Sequence, residues 1–223
     1  MAAQTPPSIT ISVADIEWKL GRFGLWTKDI WSDAATQRKA VLTRFGARNQ
    51  LPLHRHVGDE LLYVVEGAIS DEAGVIGTGN VGYRPRGCVH TGDSINGATV
   101  FGFFTGGLEG ATEIGAAPQT QIFKLNEIAW SDAFPGIRAK RFWSDQATDR
   151  FAVLGRWEPG SKLARHRHTG DELIFVIEGS MQDEYGEVTA GNVSFRPQGC
   201  VHTVTSRNGA TTFTIVRGGL EPV

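Results

Sequence analysis

His54-Arg55-His56-Val57-Gly58-Asp59-Glu60 puts two imidazoles and a carboxylate on one short stretch. Histidines one residue apart point to the same face of a β-strand, because strand side chains alternate. Glu60 follows beyond a Gly-Asp turn signal. The stretch returns as His166-Arg167-His168-Thr169-Gly170-Asp171-Glu172. A third histidine in each copy, His90 or His202, follows Pro-x-Gly-Cys-Val. All six histidines of the chain fall in these two sets, which packing or solubility alone would not produce. The predicted metal ligands are therefore His54, His56, Glu60 and His90 for one ion, and His166, His168, Glu172 and His202 for a second.

Three imidazoles and a carboxylate suit a divalent transition metal, one per half. Zinc and iron come first and nickel, manganese and copper are alternatives, whereas magnesium and calcium prefer oxygen ligands. The open coordination positions decide the chemistry. A six-coordinate ion keeps two for substrate and dioxygen, whereas tetrahedral zinc with four protein ligands is closed and structural. No catalytic acid or base stands out beyond the ligands. Cys88 and Cys200 share a strand face with His90 and His202, and small buried side chains filling space are expected there rather than ligands. Arg84 and Arg196 are expected in ion pairs with Asp71/Asp183 or Glu72/Glu184. Trp31 and Trp143 read as core anchors, and Phe101, Phe103 and Phe213 are candidates for an apolar pocket wall.

The elements that must hold these residues repeat. From Trp18 to Glu109 each position has a counterpart 112 residues later, without a gap, and many are identical. A unit of this length is a small domain duplicated in tandem, divided as 1–112 and 113–223. Inside each unit, Arg38 to Phe45, Leu61 to Val65, Asn80 to Arg84, Val89 to Thr91 and Thr99 to Phe104 read as short strands between Gly-rich turns, and no window supports a helix of 12 residues or more. Such a texture predicts an all-β fold, a sandwich or barrel.

The 223 residues carry 22 basic and 24 acidic side chains and no basic cluster, so nucleic acid is not an expected partner. Met1 to Thr10 has no signal-peptide pattern and no stretch is apolar enough to span a membrane, so a cytoplasmic location is expected. Two cysteines 112 residues apart read as one local feature used twice, which agrees with a reducing compartment.

These motifs resemble the cupin superfamily, RmlC-like jelly rolls. The family's first motif is Gly-x5-His-x-His-x3,4-Glu-x6-Gly. Gly160, His166, His168, Glu172 and Gly179 match all of it; His54, His56, Glu60 and Gly67 match, with Arg48 in place of the leading glycine. The second motif, Gly-x5-Pro-x-Gly-x2-His-x3-Asn, is met by Gly79, Pro85, Gly87 and His90 and by Gly191, Pro197, Gly199 and His202, with Ser94 and Ser206 at the final position. The resemblance implies two tandem cupin domains packed as a pseudo-dimer, their N-terminal strands exchanged between sheets.

Within cupins, His-Arg-His-x-Gly-Asp-Glu with Arg-Pro-x-Gly-x-x-His is similar to the cupin-like domain of ChrR anti-sigma factors, and also to acetylacetone-cleaving iron dioxygenases. The first likeness implies a metal-binding sensor or regulatory module acting on a protein partner. Nothing here resembles the helical zinc domain through which ChrR proteins bind their sigma factor. The second implies an Fe(II)-dependent dioxygenase. Expected partners are a small-molecule ligand or substrate, a regulatory protein and a second copy of the chain as a homodimer.

Overall fold

The computed structural model describes residues 5–223; the part of the leader reading that falls on Met1 to Gln4 lies outside them. The described residues form two compact all-β units, two tandem cupin jelly rolls. Their only helical pieces are two 3-10 turns, Arg22–Gly24 and Leu125–Glu127. None of the described residues forms a helix long and apolar enough to cross a membrane.

One unit is residues Ile16–Glu127. Its nine-stranded sheet runs, in order of pairing, Gln121–Phe123, Val81–Arg84, Glu60–Asp71, Val89–Phe104, Arg38–His56, Trp26–Asp33 and Lys19–Leu20. The expected strand fragments fuse: Arg38–His56 and Val89–Phe104 are each one long strand. They curl because the pairing slips at bulges, between Leu51 and His54 and between Val64 and Glu66. The concave side buries Phe45, Val64, Ile76 and Val100.

The other unit joins the leading segment, up to Asp15, to Ile128–Val223. Its eleven-stranded sheet repeats the same order around Ile137–Asp145, Arg150–Trp157, Ala210–Arg217, Glu172–Asp183, Val201–Ser206 and Ser161–His168. Trp157, Val176, Met181 and Val204 form its buried cluster.

The two units are not the contiguous stretches 1–112 and 113–223. Ile9–Ile11 pairs with Val193 to Phe195 of the second half, and Gln121–Phe123 pairs with Val81 to Tyr83 of the first. Each leading segment is then pinned by an asparagine. Val13 N–H donates to Asn192 Oδ1 at 2.9 Å, and Leu125 N–H to Asn80 Oδ1 at 3.1 Å. Val13 and Leu125 are buried beside these bonds, so apolar burial and edge pairing act together.

Arg48, which takes the place of the motif's leading glycine, keeps the glycine's backbone. Its φ is 60° against 79° at Gly160. A left-handed conformation costs an L-residue roughly 1–2 kcal/mol, part of which glycine returns through the freedom it gains when unfolded. Arg48→Gly should therefore stabilise the first unit by about 0.5–1 kcal/mol and Gly160→Arg should destabilise the second by about 1 kcal/mol or more, both read by denaturant titration. A lowered midpoint for Arg48→Gly would contradict this account.

Candidate metal centres

The third histidine is brought to the first two by strand register. His54 lies directly opposite His90, and His166 opposite His202, across antiparallel pairs. Directly opposed residues project side by side, within reach of each other's rings. The second histidine is held through its backbone by the Pro-x-Gly turn. His56 N–H donates to the Cys88 carbonyl (2.9 Å) and Gly87 N–H to the His56 carbonyl (2.8 Å). His168, Cys200 and Gly199 repeat this at 2.9 and 2.8 Å. Gly87 and Gly199 have φ of 86° and 85°, the third-position geometry of a type II turn that side-chain-bearing residues rarely adopt.

The ligand atoms of His54, His56 and His90 lie within 4.8 Å of one another, as do those of His166, His168 and His202. In the second half, His168 Nε2 is 3.2 Å from His166 Nε2 and 2.9 Å from His202 Nε2. In the first, His56 Nε2 is 2.9 Å from His90 Nε2. Three nitrogens each about 2.1 Å from a common ion sit about 3.0 Å apart at right angles and about 3.4 Å apart in a tetrahedron. The spacings of 2.9 to 3.2 Å are of the size that ligands of one ion require.

The hydrogen-bond partners of four of the rings suit a cation. His54 Nδ1 meets the Pro52 carbonyl at 2.9 Å and His166 Nδ1 the Ala164 carbonyl at 2.8 Å. These carbonyls lie beside the strand bulges, where ladder pairing is interrupted. His90 Nδ1 meets the Thr91 carbonyl, and His202 Nδ1 the Asp183 carboxylate at 2.8 Å. Carbonyls and carboxylates accept only, so the proton sits on Nδ1 and the Nε2 lone pair faces inward. Converging lone pairs repel one another unless a cation lies between them.

Burial disfavours the charged form of His56, His90, His166 and His168. It lowers His56 to about 4, aided by Arg84 and His54 and opposed by Glu60, and lowers His90 to about 2. In the second half it lowers His168 to about 4 and also pulls His166 down. A neutral imidazole is the form that binds metal.

The two glutamates stand beside the triads, not among the converging atoms. Glu60 Oε2 is 3.8 Å from His56 Nε2 but accepts from Arg84 at 2.8 Å, and Glu172 Oε2 accepts from Arg196 at 2.7 Å. Although burial opposes it, the neighbouring guanidinium holds each carboxyl below its ordinary value. Arg84 also reaches Asp71 at 3.0 Å. The expected pairing of these arginines with Glu72 and Glu184 is replaced: those two carboxylates accept from the backbone N–H of Thr91 and Thr203 instead. They sit in the hairpin turn itself, one residue beyond Asp71 and Asp183.

Two residues escaped the sequence reading. Ser8 Oγ donates to Asp183 Oδ2 at 2.6 Å, directly behind His202. Thr120 Oγ1, its repeat counterpart, donates to Asp71 Oδ2 at 2.8 Å, 3.7 Å from His90 Nδ1. Both arrive on the exchanged segments. Their shared offset and hydroxyl were visible, but their target was not. Against burial, the bonds from His202 and Ser8 lower Asp183 to about 2. The cysteines are buried and free, and burial raises both thiols, Cys200 to about 11, so they stay protonated.

Each half has a cavity beside its histidines: His54, His56 and His90 line the first, His166 and His168 the second. The second-half cavity is about 570 Å³, and the first-half one about 180 Å³. Phe101, Phe103 and Phe213 line neither; they are core residues on the opposite strand face.

Two outcomes are expected from these contacts. Arg84→Met leaves the buried Glu60 carboxylate without its partner and should cost about 3–5 kcal/mol by denaturant titration. The metal-free protein should lose stability as pH falls from about 6.5 toward 4, because the unfolded histidines take up protons that the folded rings refuse. Stability unchanged across that range would refute the buried neutral state.

Comparisons with known proteins agree with the geometry. A family model for the ChrR cupin-like domain matches residues 6–107 and again 118–220. No curated protein matches the chain. Among solved structures, a candidate dioxygenase from Nostoc punctiforme superposes with a TM-score of 0.86 at 12% identity, over 97% of this chain and 87% of that one. A loop variant of Bacillus subtilis oxalate decarboxylase superposes with a TM-score of 0.72 at 14% identity, over 100% of this chain and 81% of that one. At such identities these likenesses describe the fold. The chain belongs to the ChrR cupin-like domain family, carrying that domain twice as a bicupin with two histidine triads able to hold one metal ion each.

Proposed function

We propose that the protein is a metal-dependent small-molecule oxygenase of the dioxygenase type. One observation carries this reading: His166 and His168 of the second-half triad line a 570 Å³ cavity, with His202 packed behind them, while the carboxylate beside them is tied to an arginine. Three facial nitrogen ligands leave positions directed into that cavity, and the donor set suits iron. Bound iron would supply Lewis acidity and dioxygen chemistry.

The chain's own residues do the rest. His166, His168 and His202 would hold the ion, and Ala164 and Asp183 set the tautomers of His166 and His202. Glu172 stays ionised beside Arg196 and is available to accept a proton from a bound acid or water, or to close on the ion. Ile137, Val153, Leu163, Ile174, Met181 and Val216 give the cavity apolar walls that keep bulk water from the reacting centre. The Nostoc punctiforme neighbour, itself described as a candidate dioxygenase, is consistent with this use of the fold.

Protein purified without oxygen should carry iron, up to one ion per triad. Adding a β-diketone such as acetylacetone should then drive oxygen uptake. His56→Ala and His168→Ala should each remove one ion. Stoichiometric zinc with no oxygen uptake would replace this reading with the closed, sensor-type site and its regulatory protein partner.

A further inference from the structure

The two halves are alike in backbone and in ligands, yet their cavities differ about threefold in volume, 570 against 180 Å³. The cause lies in a few repeat-equivalent positions. Phe104 of the first half corresponds to Val216, and Gly102 to Thr214. The Phe104 ring is folded back over the Gly102 Cα, with its edge 2.9 Å from where a Cβ on residue 102 would stand. Only glycine leaves room for that ring, so the pair acts together to fill the space beside the first triad. Lys39 covers the ring, its Nζ 5.0 Å from the centroid.

The second half opens the same space. Val216 is short, and Thr214 Oγ1 sits 3.3 Å from Thr212 Oγ1, adding hydroxyls to an otherwise apolar wall. Gly155, which stands where the first half has Thr43, keeps the floor clear; a Cβ there would meet Thr212 Oγ1 at 2.7 Å. The mouth differs in charge as well. Arg138 and Arg141 line the second cavity, Arg141 lying 3.8 Å over the Phe151 ring. Their first-half counterparts are Trp26 and Asp29.

Resting on the metal-site reading above, we infer that only the second half takes an organic ligand, a bidentate oxygen-donor anion with an apolar body, and that Phe104 restricts the first half to an ion with ligands of water or dioxygen size. The larger volume falls in the range of about 300–1,000 Å³ typical of small-molecule sites, and the smaller falls below it. The arginines favour an anion at the mouth, the converging imidazole face accepts an oxygen chelate, and the walls take the apolar remainder.

The test uses the iron-loaded full chain without oxygen and 4-nitrocatechol, a chromophoric bidentate oxygen donor. Metal content is measured on every sample. Wild type should bind two ions and one 4-nitrocatechol per chain, seen as a single saturating absorbance change. Phe104→Val should gain a second equivalent of probe. Val216→Phe should lose the first while keeping both ions, and the milder Val216→Leu should weaken it by on the order of tenfold. Two equivalents in wild type would overturn the inference, as would a Val216→Phe protein that holds both ions and still binds the probe. Wild type that takes up no metal would instead sink the metal reading beneath it, and the inference with it.

Discussion

Two clusters of three imidazoles, their Nε2 atoms turned toward one another, are the constraint around which this protein is built. Nothing in an imidazole obliges its Nε2 to face two others. Four of the six are turned there by an acceptor behind them: a carbonyl beside a bulge, the next residue's carbonyl, or a hairpin aspartate. Taken singly these are ordinary hydrogen bonds of about 1 kcal/mol. Together they choose a tautomer, and the tautomer decides whether the cluster is a set of hydrogen bonds or a set of ligands. The register that opposes His54 to His90, the turn that ties His56 to Cys88 and Gly87, and the curl of the long strands all serve that one requirement.

The carboxylate beside each triad follows a different logic. Glu60 and Glu172 are buried, and a buried anion must have a partner. Arg84 and Arg196 provide it from the strand that ends at the Pro-x-Gly turn. An ion arriving among the imidazoles therefore meets an acid already satisfied elsewhere, and the two cations would compete for it. In the first half that competition is stiffer, because Arg84 is itself fastened to Asp71 at 3.0 Å. Among the described residues, Arg196 is ion-paired with Glu172 alone.

Much of this was legible in the chain. The duplication, the all-β texture and the two histidine triads follow from an offset of 112 and a spacing rule for strands. Less legible was anything depending on what faces what across the sheet. Arg84 was matched to Asp71 or Glu72, of which Asp71 is met, and only the register of Glu60 against Arg84 supplies its other partner. Phe101, Phe103 and Phe104 look interchangeable as a run, yet alternation sends the first two into the core and leaves Phe104 at the triad. The boundary between units was hidden for a similar reason. A repeat marks where copies begin, and strand pairing marks where they fold; here the two differ by one exchanged edge strand.

That exchange sets an order on assembly. Residues Ile16–Glu127 are contiguous, so this unit has all its strands as soon as it leaves the ribosome. The segment ending at Asp15 is made before any of it, yet its strand belongs beside Val193 to Phe195, and Ser8 reaches Asp183 across 175 positions of chain. It closes a long loop onto an edge that is made only after the intervening chain. The second triad thus acquires its final buttress only when two segments far apart in sequence have met.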